Sequence, residues 1–220
     1  MHTIDCTSHN WLAYQLCNEA LRRHLHLITG RVVDLGCGTA PFKIDILVLA
    51  NEYIGVDWPN SLHSGAHVDI ECDLCGPFPF PDGFADTVIS TEVLEHIPTP
   101  SAFLSEAARI LKSGGVLFLT VPFQWHVHEA PHDYYRYTRY GLIYLLKEAG
   151  FEQIEVTENS GFWQTWLLKL NYHTARYARG VLKLFWIPLW WTTQIIAPVL
   201  DRLRATPQET VGYTVLARKT

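Results

Sequence analysis

The side chains best suited to chemistry lie close together in VPFQWHVHEAPHDYYRYTRYG, positions 121–141. His126, His128 and His132 belong to the residue type that ordinarily titrates near neutral pH and most often serves as a general base. His132 is followed by Asp133, Tyr134, Tyr135 and Arg136, the densest polar and aromatic cluster in the chain. One reading is that this loop shapes a substrate pocket. His128 or His132 would then take a proton, and Tyr134, Tyr135 and Arg136 would contact the substrate. The alternative stays open: His132 and Asp133 brace the loop, and Arg136 pairs with Asp133 or Glu129. The three histidines match neither HExxH nor a common zinc spacing, and the Cys72–Cys75 pair lacks a second pair, so no metal is expected. His96 in EVLEHI reads as a positioned residue rather than a catalyst.

A second chemical stretch is VVDLGCGTAPF. Gly36 and Gly38 allow a sharp turn and a close approach of backbone to a ligand. Asp34 sits just before the turn, where a carboxylate can face a bound amine. A dinucleotide site and an S-adenosylmethionine site both fit a GxG turn. The dinucleotide fingerprint wants a third glycine, and Pro41 stands there. Asp57 in EYIGVD ends the next apolar run and can accept from ribose hydroxyls. Asp73 in ECDL can accept from an adenine amine, with the Leu74 backbone at the ring edge.

These residues need a frame. Apolar runs at RVVDLG, EYIGVD, AHVDI, ADTVIS, GGVLFLTVP, FEQIEV and GYTVLAR read as strands. Helical patterns fall at residues 10–28 and in PFKIDILVLAN, PSAFLSEAARILKS and YGLIYLLKEAG. Strands alternating with helices imply βαβ units and a doubly wound sheet, whose ligands sit at the carboxyl ends of the strands. At 220 residues the chain can bury a full α/β core. A net charge of -5 and 18% charged residues point away from disorder and from nucleic acid. Five cysteines without a framework pattern, and an N-terminus unlike a signal peptide, lead to the expectation of a cytoplasmic protein.

VVDLGCGTAPF, YIGVD, DLCGPFPFPDGFADTVISTEVLEHIPTP and ARILKSGGVLFLTVP occur in that order. Together, over residues 30–158, they resemble the class I S-adenosylmethionine-dependent methyltransferases of the small-molecule type. The resemblance implies an α/β, Rossmann-like seven-stranded sheet in the order 3-2-1-4-5-7-6 with strand 7 antiparallel. It implies S-adenosylmethionine as cofactor, held by Gly36, Gly38, Asp57, Asp73 and Leu74, with Thr91 and Glu92 along its methionine part. Asp34 joins them as the carboxylate at the turn. Methyl transfer to a small-molecule acceptor, at oxygen, is the expected reaction. A non-catalytic scaffold that binds the same cofactor and a nicotinamide-dependent oxidoreductase are the competing expectations.

Residues 1–29 are expected to form a helical segment and 30–220 the methyltransferase domain, with an insertion at 160–210. That insertion carries no Asp or Glu from Asn159 to Leu200, whereas Lys169, Arg176, Arg179 and Lys183 are present. On one helix, at ~100° per residue, these cations would form a stripe roughly 80° wide opposite Leu167, Leu170, Tyr177, Val181 and Phe185. LFWIPLWWTTQIIAPVL follows, with Trp186, Trp190 and Trp191, interrupted by Pro188 and Pro198. A span needs ~20 mostly apolar residues, so a transmembrane helix is not expected. Three tryptophans represent about 600 Å² of surface, which a lone soluble chain seldom exposes. Residues 160–200 are expected to cover the chain's own core, to meet a second copy of the chain as a homodimer, or to rest on a membrane surface on the inner, cytoplasmic face or on a lipid-linked substrate.

Overall fold

The structure, a computed structural model, describes all residues except 3, 60–64 and 205. Seven strands form one sheet in the order β3-β2-β1-β4-β5-β7-β6. They are β1 (Gly30–Leu35), β2 (Ala50–Asp57), β3 (Ile70–Glu71), β4 (Ala85–Thr91), β5 (Leu111–Pro122), β6 (Phe151–Glu158) and β7 (Gly212–Lys219). β1 pairs in parallel with β2 and β4, and β7 runs antiparallel to both β5 and β6. The expected order and the reversed last strand are both present. The carboxyl ends of β1 to β5 therefore meet along one edge, which is the edge that carries ligands in such sheets.

Both faces of the sheet are covered, which explains why its central strands are nearly continuous apolar runs. Val33, Leu35 and Val88 pack with Leu104 of α3 (Pro100–Ile110) and Leu142 of α4 (Arg139–Glu148). On the other face Val32, Ile89 and Phe118 pack with Leu21 of α1 (Trp11–His24) and Ile46 of α2 (Lys43–Ile46). The helix expected over PFKIDILVLAN shrinks to α2, four residues long, and Ile44, Val48 and Leu49 after or within it are exposed. β3 is likewise only two residues long.

Residues 160–210 contain two helices, α5 (Phe162–Ala175) and α6 (Leu182–Leu203). The single basic helix expected through 167–185 does not form. The chain leaves helix after Ala175 and turns through Gly180 at φ +54, so the four cations do not share one stripe. Conversely, Pro188 and Pro198 do not interrupt α6, which continues for 22 residues. Packing of one face outweighs the donor each proline removes. That face is held by polar contacts as well as apolar ones. Trp190 Nε1 donates to Thr174 Oγ1 at 2.9 Å, and Thr193 Oγ1 donates to Asn171 Oδ1 at 2.9 Å. Asp201 accepts from the backbone N–H groups of Gly161, Trp163 and Gln164 at 3.2, 2.9 and 2.9 Å, capping α5 from the far end of α6. Leu168 and Ala197 pack on Leu12 and Leu16 of α1, and Gln194 accepts from the Leu12 N–H at 3.0 Å.

Candidate active site

The glycine turn begins where β1 stops. Gly36 and Gly38 have φ of +78 and +53, a region side chains rarely adopt. A Cβ on Gly36 would lie 2.3 Å from Val93 Cγ2, so the loop after β4 closes directly over the turn. Asp57, at the end of β2, accepts from the Gly38 N–H at 2.8 Å and from the Trp58 N–H at 2.7 Å. It thus braces the turn and retains a second lone pair on each oxygen for a ligand. Asp73, just past β3, is exposed and accepts from the Cys75 N–H at 2.9 Å, while Leu74 is buried.

Asp34 is nearly buried, and its Oδ2 accepts from the Tyr53 hydroxyl at 2.5 Å. Its Oδ1 is buried with no hydrogen-bond partner. Burial is the main cause that pushes this carboxyl up to about 7, against the opposing hydrogen bond from Tyr53. A buried acceptor beside a glycine turn is fitted to receive an ammonium, since an orphaned buried carboxylate is otherwise costly. Gly36, Gly38, Asp34, Asp57, Asp73, Leu74, Thr91 and Glu92 all fall at or just beyond the carboxyl ends of β1, β2, β3 and β4. That donor set fits an amino acid head at Asp34 and a ribose at Asp57.

Beyond β4 the chain enters a second polar group. Glu92 has φ +55, and Glu129 in the loop after β5 has φ +51. Left-handed non-glycine residues are uncommon and concentrate at functional sites. Leu94–His96 make a 3-10 turn that buries Glu95 completely, at 0% exposure. Both carboxylate oxygens of Glu95 lack a hydrogen-bond partner. Its Oε1 lies 3.6 Å from His96 Nε2 and 3.8 Å from His128 Nε2. Burial, followed by the charge of Glu92, holds the Glu95 carboxyl well above the usual range. Burial also raises Glu92. Across the cluster, hydrogen bonds from Arg136 hold Asp133 well below the usual range. His128 is lowered by burial, which the nearby Asp133 partly offsets.

The two histidines expected as bases face different surroundings. His128 is half-buried between Glu95, Asp133 and His96, whose ring is 4.9 Å away. His132 is exposed, edge-on to Trp58 at 5.5 Å, with its Nδ1 3.2 Å from the Tyr134 hydroxyl. Trp58 follows Asp57, so His132 reaches toward the glycine side of the edge. Tyr134 is exposed, and the Tyr135 hydroxyl donates to the Pro98 carbonyl at 2.9 Å.

Arg136 pairs with Asp133, the second of its two expected roles. It donates to both oxygens of Asp133 at 2.5 and 2.7 Å, and to the carbonyls of Trp125, His126 and Tyr135. These contacts take up its N–H donors, and the side chain braces the loop. Two site residues escaped the sequence reading. Tyr53 lies one strand away from Asp34 and had no local signal. Glu95 did have one: the Glu92, Glu95, His96 spacing of STEVLEH.

Comparison with known proteins agrees with this geometry. Residues 33–119 match the family described as "Methyltransferase domain". A ubiquinone biosynthesis O-methyltransferase of Burkholderia pseudomallei (strain 1710b) is 29% identical over 160 residues, covering 60% of this chain and 69% of that protein. A protein of the same name from Xanthomonas euvesicatoria pv. vesicatoria is 36% identical over 115 residues, 46% of this chain and 47% of that one. Among solved structures, a SAM-dependent methyltransferase from Archaeoglobus fulgidus superposes with TM-score 0.63 at 17% identity, covering 93% of this chain and 94% of the other. The [4+2]-cyclase SpnF superposes with TM-score 0.62 at 20% identity, covering 94% and 81%. At those identities the structures establish the fold alone.

Sheet order, glycine turn and family match together define a class I S-adenosylmethionine-dependent methyltransferase. Its cofactor is S-adenosylmethionine and its acceptor is a small molecule, which sets aside the oxidoreductase and scaffold readings.

Proposed function

We propose that this chain methylates a hydroxyl oxygen of a lipid-linked small molecule while resting on a membrane surface through α5 and α6. The observation that carries the reading is the outer face of these helices beside the histidine loop. Trp163, Trp166 and Leu170 of α5, and Phe185, Trp191, Ile195, Ile196 and Val199 of α6, are exposed. Phe185 is 75% and Trp191 49% exposed, whereas Trp190 turns inward at 2%. Lys169, Arg176, Arg179 and Lys183 accompany them without any acid before Asp201, which suits an anionic bilayer. Tyr172 of α5 packs edge-on to Trp125 at 4.8 Å, so the greasy face adjoins the loop that would hold the acceptor. Among the described residues no helix is long and apolar enough to cross a membrane, which favours surface docking over a span.

Bound S-adenosylmethionine supplies an electrophilic methyl group. In this reading Asp34 receives its ammonium, the Gly36–Gly38 backbone lies along its methionine part with Thr91 and Glu92, and Asp57, Asp73 and Leu74 hold its adenosine. Alignment of the partners is worth roughly 7–11 kcal/mol of barrier. His132 takes the hydroxyl proton, its ring oriented by Tyr134 and Trp58, and contributes about 10²–10⁴ in rate. Tyr134 and Tyr135 line the acceptor side. The names of the relatives, which are O-methyltransferases, support oxygen as the nucleophile.

The test offers the purified chain, labelled cofactor and polyprenylated phenols in anionic vesicles. Methylated phenol found by mass spectrometry, and co-flotation of protein with vesicles that Phe185→Ser with Trp191→Ser abolishes, are the expected results. Equal turnover of soluble and lipid-linked acceptors without flotation refutes the membrane part. Unchanged turnover in His132→Ala removes His132 as the base.

A further inference from the structure

Lys169, Arg176, Arg179 and Lys183 are the cations of a segment without acids from Asn159 to Leu200, in a chain whose net charge is -5. Among the described residues none of the four takes part in an ion pair; Lys169 Nζ lies over the Trp166 ring instead, 4.6 Å from its centroid. Glu209, an acid that reaches α5, is already engaged by Gln124 Nε2 at 2.8 Å and Trp166 Nε1 at 3.4 Å. An anionic bilayer accounts for cations that point outward with the greasy face. It does not account for cations turned toward the histidine loop.

Lys169, Tyr172 and Arg176 stand at i, i+3 and i+7 along α5 and its C-terminal cap. Seven residues fall ~20° short of two turns, so Lys169 and Arg176 share one line along the helix, with Tyr172 beside it. That line separates buried Leu168 and Asn171 from exposed Trp166 and Leu170. Tyr172 packs on Trp125 at 4.8 Å and on His126 at 5.5 Å, both in the loop after β5. The electrostatics agree with this placement. Burial, then the charges of His128, Arg176, Arg136 and Lys169, lower the His126 imidazole. His9 packs on the same tyrosine at 4.9 Å, and burial followed by the charge of Lys183 lowers it too. Three cations thus gather beside Tyr172, where α5, α6 and the histidine loop meet. Arg179 is exposed in the turn between the two helices.

We propose that Lys169, Arg176 and Lys183 bind a phosphate or diphosphate ester, the group through which the acceptor is joined to its lipid. The proposal rests on the lipid-linked acceptor reading above and names the linkage. The order of the surfaces carries it. The exposed apolar face of Trp163, Trp166 and Leu170 comes first, then the cations, then the loop that holds His132. A lipid phosphate ester has the same order: hydrocarbon chain, anion, hydroxyl-bearing head. The planar fork of Arg176 can meet two phosphate oxygens at once, while Lys169 and Lys183 act as point charges.

The experiment reads the anion without vesicles, cofactor or turnover. The full chain is titrated by calorimetry with geranyl diphosphate, with geraniol and with inorganic diphosphate. Geranyl diphosphate should saturate one site at least about tenfold more tightly than either other compound, and more weakly as salt rises. Lys169→Gln with Arg176→Gln should weaken it about tenfold or more at an unchanged unfolding temperature, and Arg179→Gln should leave it within about twofold. No saturation below ~1 mM, equal binding of geraniol, or a double variant that binds like the parent overturns the proposal. So does equal weakening in Arg179→Gln, which makes the patch a diffuse field. Inorganic diphosphate bound as tightly as the ester marks a free-anion site and removes the lipid linkage. Phosphatidylglycerol vesicles that release the double variant, with no binding of geranyl diphosphate in solution, assign the cations to bilayer headgroups instead. Ester binding by a chain that neither floats with vesicles nor methylates a hydroxyl leaves this site standing and removes the earlier reading. Flotation and methylation without a preference for the diphosphate remove this site alone.

Discussion

Asp34→Asn isolates the buried carboxylate of β1 beside the glycine turn. Asp34 Oδ2 has its partner in Tyr53, and Oδ1 has none. With the native carboxyl at about 7 against an ordinary 3.8, the folded chain binds more protons than the unfolded chain between those values. Stability must therefore fall as pH rises through that window, by up to about 4 kcal/mol from this group. Asparagine still accepts from Tyr53 and cannot ionise. It buries an unpaired amide at a pH-independent cost of about 1–3 kcal/mol. The difference in unfolding free energy, variant minus parent, should consequently climb from pH 4 to pH 8. Cofactor binding reads the same group with the opposite sign. An ammonium favours ionised Asp34, so parent affinity for S-adenosylmethionine should drop about tenfold per pH unit below 7, with the variant weak and flat. Urea unfolding and calorimetry between pH 4 and pH 8 check both. Parallel stability curves, or a parent affinity independent of pH, would refute the assignment of Asp34 as the ammonium partner.

Gly36→Ala forces a Cβ against Val93 at a left-handed φ, and should cost more than about 1–2 kcal/mol in chemical denaturation as well as most cofactor affinity; adding Val93→Ala should recover part of the stability. Asp201→Ala removes three hydrogen bonds at the start of α5, and should lower stability by about 2 kcal/mol, with faster amide exchange confined mainly to α5 and α6. Trp190→Phe loses the bond to Thr174 and leaves a small cavity, so denaturation should report about 1–3 kcal/mol and equal exposure of Trp191 by quenching.

Much of this site was legible because short motifs sit at strand ends. Val32, Val33 and Leu35 must be inside, so Gly36 and Gly38 must turn at an edge, and the same holds for Asp57 and Thr91. Local spacing determined the strands, their order by resemblance, and which polar residues gather at the strand ends. It could not determine the roles of residues whose partners come from elsewhere in the chain. Arg136 read equally as a substrate contact or a partner of Asp133, and the choice fell only when Asp133 and three loop carbonyls claimed its donors. Glu95 was one acid among many until the 3-10 turn removed it from water beside two histidines. The insertion shows the same division. Its composition, apolar and cationic without acids, was plain in the sequence. Which tryptophan turned inward, and whether Pro188 and Pro198 ended the helix, depended on the packing of α6 against α5 and α1. Burial and long-range hydrogen bonding are properties of the assembled layers, so only the tertiary structure decided them.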